Sequence, residues 1–561
     1  MLPAMEVAEA ATAAVVAVKV RGKWLFLRYG PREPRLPLNW RVRLRLHPGP
    51  GWAGRWSCWR AHGLPAARAL ARHARPSLPW TALLPGRRGT WREYATFLGW
   101  GAHSWVAPQR VYANLESLVV MFAAPQDGKT QAAAGTVSDA PGPVVATSIR
   151  ADLVTATAAL RAERGRVDLW DPEGVSGLAS TFSWNITVGC EDIATAVRRA
   201  GTMVEAVAGK GLEGEAFWDD QASMALAGLL HAAALAGADI RHVHAWADGE
   251  DDTPARILAL HPGASAAARD HLNQFLGMTD RTRQSVAATL ARVLKFLQLP
   301  ACEEAVTTPD GSEGFDFTSF LASTGTLYLV AGDSATSPAP PLFAALVAEL
   351  AWTARNARRR LDPPLTVILD EAGNIAPVPV PAWTSWAAGS GIRLEIIAQA
   401  YAQLKDRWGE AGAAVIWQCC KTKVIFGGTT EDELAQLAER ACGTVRVRVA
   451  RGVPGKRVWE DETVPLLPAP ALRMLPAGRA VVIQGRAAPV IVRTEQVRRR
   501  RDYKRHQHQA LPVLGPALPR PVPRPVPELL HAVQELPAVP DELAARRKHA
   551  GQIPAAEEDY R

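Results

Sequence analysis

Short apolar runs that do not alternate in polarity recur along this chain: Leu118 to Phe122, Val144 to Thr147, Val167 to Trp170, Thr326 to Val330, Leu365 to Leu369, Leu394 to Ala398 and Lys423 to Phe426. A strand with a polar residue on neither face is buried on both, and a parallel sheet sheathed by helices meets that condition. Helical segments open at Gln131 and Asp152 and run over about 341–360, so strand and helix alternate as the parallel arrangement requires. From about 188 to 310 the strand signal stops. Apolar residues fall there at helical spacing, at Trp218, Ala222, Leu226, Leu229 and Ala233, and again at Val286, Leu290, Val293 and Leu297. The expected fold is α/β: one parallel sheet built from residues 113–187 and 311–495, interrupted by an all-α inserted domain over 188–310.

The two ends read differently. Residues 1–112 lack clean periodicity and are dense in Arg, Pro and Trp, the pattern of an accessory or membrane-docking region rather than a core domain. Arg41, Arg43, Arg45, Arg55, Arg60, Arg68, Arg72, Arg75, Arg87 and Arg88 crowd it. Trp40, Trp52, Trp56 and Trp59 lie among them, and their amphipathic rings suit either a membrane interface or small local contacts. Residues 496–561 open on Arg498, Arg499, Arg500, Arg501, Lys504 and Arg505 and run into Pro-Arg repeats over Pro516 to Pro527, the composition of an extended, disordered tail.

With 561 residues, of which 48% are hydrophobic and 21% charged, the chain supports two or three domains and excludes wholesale disorder. Its formal charge of +9 permits an anionic partner without demanding one. The 6 cysteines lack metal-ligand spacing and read as reduced thiols of a cytoplasmic protein. Ala10 to Val18, the longest N-terminal apolar run, is too short to span a bilayer. No transmembrane helix or signal peptide is expected, and membrane contact, if made, is peripheral.

Two motifs carry chemistry. Ala123-Ala124-Pro125-Gln126-Asp127-Gly128-Lys129-Thr130 matches the phosphate-binding loop G-x-x-x-x-G-K-[ST] at every fixed position but the first, and Gln131 opens the helix that follows. Such a loop wraps backbone N–H groups around phosphates at the positive end of a helix dipole. Lys129 would reach the β- and γ-phosphates of ATP and Thr130 the Mg²⁺. Asp127 is awkward, since a carboxylate beside a triphosphate is repelled unless it turns away. The second motif is the buried strand Leu365 to Leu369, delivering Asp370 and Glu371 at its C-terminal end, the end at which parallel sheets bind ligands. Asp370 would hold the Mg²⁺ and Glu371 would polarise the attacking water. A third strand, Leu394 to Ala398, ends in Gln399, an amide placed to sense the γ-phosphate or simply to begin a loop.

With these residues the chain resembles the type IV secretion coupling proteins, the TraG/TraD-like conjugative ATPases of the FtsK/HerA superfamily. The stretch from Val367 to Gly428 carries most of the likeness, through V-I-L-D-E-A-G-N-I-A-P, G-I-R-L-E-I-I-A-Q-A-Y-A-Q-L and K-V-I-F-G-G. V-V-A-T-S-I-R-A-D-L, D-P-E-G, F-W-D-D-Q-A and Leu475 to Gly478 support it. The resemblance implies a RecA-like P-loop NTPase domain with a helical insertion. It further implies a homo-hexameric ring, sequence-independent DNA binding, and relaxase or relaxosome and secretion-channel partners. Related motors place an arginine about eleven residues before the sensing Gln; that position is Ala388 here, with Arg393 nearby as the alternative catalytic cation. The membrane anchor usual at the family's N-terminus has no counterpart in the apolar runs of residues 1–112.

Three functions follow as expectations. The first is an ATP-driven DNA translocase feeding a secretion channel. The second is a nucleotide-binding adaptor that recruits substrate and hydrolyses ATP weakly or not at all, motivated by Asp127 and Ala388. The third is a partition or phage-defence motor of the same superfamily.

Overall fold

A computed structural model describes residues 51–84, 90–101, 109–208, 213–308, 313–332, 337–451 and 458–507. Trp40, Arg41, Arg43, Arg45, Arg87, Arg88, the Ala10 to Val18 run and the Pro516 to Pro527 repeats lie outside the described residues.

The short apolar runs become strands of one large sheet. Its order is β2 (Arg110–Asn114), β1 (Ala95–Gly101), β13 (Val490–Arg493), β12 (Arg479–Gln484), β9 (Thr422–Phe426), β3 (Val119–Phe122), β8 (Ile392–Ala398), β7 (Leu365–Asp370), β4 (Val144–Ser148), β6 (Thr326–Val330), β5 (Val167–Trp170). From β9 to β5 the strands are parallel, while β12, β13, β1 and β2 extend the sheet antiparallel. A separate two-stranded sheet pairs β10 (Thr444–Arg451) with β11 (Val458–Pro465).

Both faces of the parallel part are covered, which is why its strands carry no polar stripe. Side chains alternate across a strand. Val120, Phe122, Leu365, Val367, Leu369, Leu394 and Ile396 accordingly enter one apolar cluster, and Val119, Met121, Ile368 and Ile397 the other. The first cluster receives Phe343 and Leu346 of the helix Pro340–Arg355 and the apolar faces of the helices between β5 and β6. The second receives Ala133, Ala134 and Val137 of the helix Lys129–Asp139, and Leu153 and Val154 of the helix Asp152–Ala162. Each large apolar side chain buried this way contributes about 1.5–3 kcal/mol.

Between β5 and β6 the described residues of 188–310 are helical, with principal helices at Ile193–Val207, Glu213–Ala236, Ala266–Leu276 and Asp280–Val293. Glu213–Ala236 packs against the other three, so Ala222, Leu226, Leu229 and Ala233 are fully buried. Asp192 begins Ile193–Val207 by accepting from the N–H groups of Ala194 and Thr195, which satisfies two orphan donors.

The expected boundaries fail at both ends. Residues 95–101 and the start of β2, placed by composition in an accessory region, are strands of the main sheet. Their period is hidden because the β1–β2 register shifts between Phe97 and Gly99, and such a bulge breaks the alternation a strand is recognised by. At the other end, Val497–Arg499 and Arg501–His506 are short helical turns packed on Lys129–Asp139 and Asp152–Ala162. One fully buried residue, Val497, and a partly buried Tyr503 anchor them amid arginines. Near the N-terminal end, the exposed rings of Trp56 and Trp59 stack at 4.9 Å, while Trp52 packs against the larger core.

Candidate nucleotide site

β3, β7 and β8 end side by side, and the residues after each converge. β3 leads into the loop Ala123 to Gly128 and then the helix Lys129–Asp139. Gly128 precedes that helix in the left-handed region, φ 100°, where a side chain is disfavoured. The helix ends before Pro141, which cannot continue it. Ala123, at the position where the motif has its first glycine, is buried, and its N–H donates to Ala398 O at 3.1 Å. Positive φ among the non-glycine residues is confined to Gln126 and Glu371 within the described chain, so Ala123 adopts a backbone open to any residue.

Asp127 has turned toward Gly428. Its Oδ2 lies 3.0 Å from the point a Cβ on Gly428 would occupy, and burial raises the carboxyl above its ordinary value. The bare glycine, at φ 82°, leaves the space that accommodates this carboxylate.

β7 delivers Asp370 and Glu371, each 4% exposed. Lys129 Nζ forms an ion pair with Glu371 Oε1 and lies 3.5 Å from Asp370 Oδ1. Gln399 Nε2 donates to the same Glu371 Oε1 at 2.6 Å. Glu371 sits at φ 52°, a conformation costly for a side-chain-bearing residue and concentrated at functional sites. Asp370 Oδ1 is buried with no hydrogen-bond partner, while Thr147 Oγ1 donates to the Asp370 carbonyl at 2.9 Å. Burial raises the Asp370 carboxyl, the Glu371 charge adds to the rise, and Lys129 opposes it. A buried carboxylate oxygen without a donor, near a cation and a loop threonine, suits a hard divalent ion.

Lys129, Asp370, Glu371 and Gln399 are thus brought together, with Thr130 and Gln131 in the first turn of the adjoining helix. Arg393 is not. It lies six residues before Gln399 on β8, about 20 Å away at strand spacing, at the opposite end of the sheet. It is 1% exposed and donates to the fully buried Glu395 at 2.9 Å, so it is enclosed in the core rather than presented to a ligand or a second subunit. Close in sequence to Ala388, the Trp386 ring has the Arg355 Cζ 4.7 Å from its centre.

Sequence reasoning missed the residues that steady these groups. Gln403 Oε1 accepts the Gln399 N–H at 2.8 Å, and Glu431 accepts from Tyr401 and Ala402 N–H at 2.7 and 2.8 Å, capping the helix that follows β8. Glu431 is some 30 residues from its partners, so no local pattern announces it.

Residues 364–477 match the family described as the TraM recognition site of TraD and TraG, a span that includes Asp370, Glu371 and Gln399. No curated protein sequence matches the chain. Among solved structures, the unbound bacterial conjugative coupling protein TrwBdeltaN70 is similar at TM-score 0.53 and 18% identity, over 68% of this chain and 85% of that one. The plasmid coupling protein TrwB in complex with ADP and Mg²⁺ is similar at TM-score 0.51 and 17% identity, over 68% and 86%. The large, mostly parallel sheet is therefore the RecA-like P-loop sheet of those coupling proteins. The matched family segment, residues 364–477, is seated on that fold and supplies the acidic side of the site.

Proposed function

We propose that this protein is an ATP-dependent motor that passes DNA, alone or with a bound relaxase, to a conjugative secretion channel. The observation that supports it is the convergence of Lys129, Asp370 and Gln399 on Glu371 at the ends of three parallel strands. Thr130 and Asp370 are the residues fitted to hold Mg²⁺, which when bound neutralises developing charge on the transferred phosphate. Lys129 exchanges its carboxylate partners for phosphate oxygens as nucleotide enters. That exchange frees Glu371 to orient the attacking water as general base, and frees the Gln399 amide to meet the terminal phosphate. Because Gln399 begins the turn into the helix Tyr401–Cys419, its change of partner is passed to that helix. Sequence-independent DNA contact and a ring of identical subunits belong to the same reading, and a relaxosome partner is supported by the matched family description.

Steady-state ATP hydrolysis by the full chain, with and without single- and double-stranded DNA, is the test. DNA-stimulated turnover is expected, abolished with ADP binding in Lys129→Ala. In Glu371→Gln, turnover should fall at least about hundredfold while binding persists. Tight ATP binding with no turnover on either DNA would instead favour the adaptor reading that Asp127 and Ala388 motivate.

A further inference from the structure

The basic stretch beyond β13 is fastened along the helix that carries Lys129 and Thr130. Val497 is fully buried beneath that helix, and Glu495 and Val497 stand 3.8 Å from where a Cβ on Gly135 would lie. At the helix's far end Arg500 donates to both oxygens of Asp139, at 2.9 and 2.8 Å, and the two side chains are only 9% and 4% exposed. Arg92 also donates to Asp139, at 2.5 Å, and Asp502 pairs with both arginines. Buried charges paired this way are costly to separate, so the segment is fixed. At the helix's near end the Arg498 N–H donates to the side-chain oxygen of Gln131 at 3.3 Å. Residues 495–502 are therefore a strap clamped at both ends of one helix.

Arg498 and Arg499 are exposed on this strap, and among the described residues no ion pair or side-chain hydrogen bond neutralises either guanidinium. These two unpaired cations belong to the turn whose Arg498 N–H meets Gln131, the residue after Thr130. A nucleotide whose terminal phosphates lie between the loop and Lys129 leaves the loop past the first turn of this helix. We infer that Arg498 and Arg499 form an outer subsite that binds the α-phosphate side of a nucleoside di- or triphosphate. The subsite rests on the nucleotide reading above. A guanidinium presents a planar fork matched to phosphate oxygens, and a clamped backbone reduces the ordering cost of using it.

The test is calorimetric titration of the full chain with ADP plus Mg²⁺ and, separately, with pyrophosphate, which fills a phosphate loop but has no nucleoside side. The double variant Arg498→Ala, Arg499→Ala should keep the wild-type melting temperature. It should bind ADP about tenfold more weakly and pyrophosphate within about twofold of wild type. Replacing both by lysine should recover part of the ADP affinity. Unchanged ADP affinity overturns the subsite and leaves the nucleotide reading standing. An equal loss on both ligands assigns the arginines to the shape of the loop and also overturns it. If the wild type binds neither ligand, and so matches Lys129→Ala, the nucleotide reading itself falls and carries the subsite with it.

Discussion

Glu371 accepts from an ammonium and an amide at once, and its backbone is held where a side chain is disfavoured. Both features occur where a buried strand ends against the loop Ala123 to Gly128, and donors offset the cost of burying the Glu371 carboxylate there. The same burial governs the thiols. Cys58, Cys190, Cys302, Cys420 and Cys442 are buried, and burial pushes each up to about 12, whereas Cys419 is exposed. A thiol reacts as its thiolate, so native protein treated with a thiol-specific reagent at pH 8 should be labelled quickly at one position, Cys419, and at the other five only on unfolding. Rapid labelling of a second cysteine, mapped by peptide mass, would show one of those buried positions to be open. The reduced state expected from spacing alone agrees with six free thiols, but which one is reactive depends on packing that no spacing reveals.

At the scale of single elements, two buried carboxylates each carry a prediction. Asp239 caps the helix Ile240–Trp246, accepting from the Arg241 N–H at 3.0 Å with His242 beside it. Burial acts to raise its carboxyl, yet hydrogen bonds from His242 and Arg241 and the Arg241 charge outweigh that and hold it well below the usual carboxylate range. A depressed folded value stabilises the fold above the unfolded 3.8, and the contribution is lost as pH falls toward the folded value. Asp239→Ala should therefore cost about 1–2 kcal/mol in urea at pH 7, with the difference shrinking steadily below pH 4. A difference that does not change with pH would assign the loss to packing instead. Glu395 is the harder case. On β8 it accepts from Arg393 at 2.9 Å and from Thr136 of the helix Lys129–Asp139 at 3.1 Å, all within the core. Glu395→Ala removes a buried carboxylate partner of Arg393 and should cost about 3–5 kcal/mol, whereas Arg393→Met with Glu395→Leu should recover most of it. If the double variant is no more stable than the single, the pair matters for more than mutual neutralisation. The resemblance offered Arg393 as a catalytic cation because it lies near the position of the family's arginine, and nearness in sequence does not distinguish a charge held in the core from one presented at a site.

Across the whole molecule, basic residues are spread between the N-terminal helices, the β10–β11 sheet and the strap, and no helix of the described residues is long and apolar enough to cross a membrane. If DNA is the cargo, binding should ignore sequence and weaken steeply with salt, by at least about hundredfold between 50 and 200 mM, as fluorescence anisotropy with unrelated oligonucleotides would show. No affinity at low salt would sink the translocase reading. The parallel strands, the loop before Lys129, the acidic strand end and the helical stretch between them were all legible in the chain, because each is written within a few consecutive residues as an apolar run, a turn or a helical period. Only the tertiary structure decided that Lys129 meets a carboxylate 242 residues away, that β1 and β2 join the main sheet, that Arg393 is sealed in the core and that a basic tail segment is strapped beside Gln131. Those outcomes depend on strand order and register, which join distant segments through contacts that local sequence does not encode.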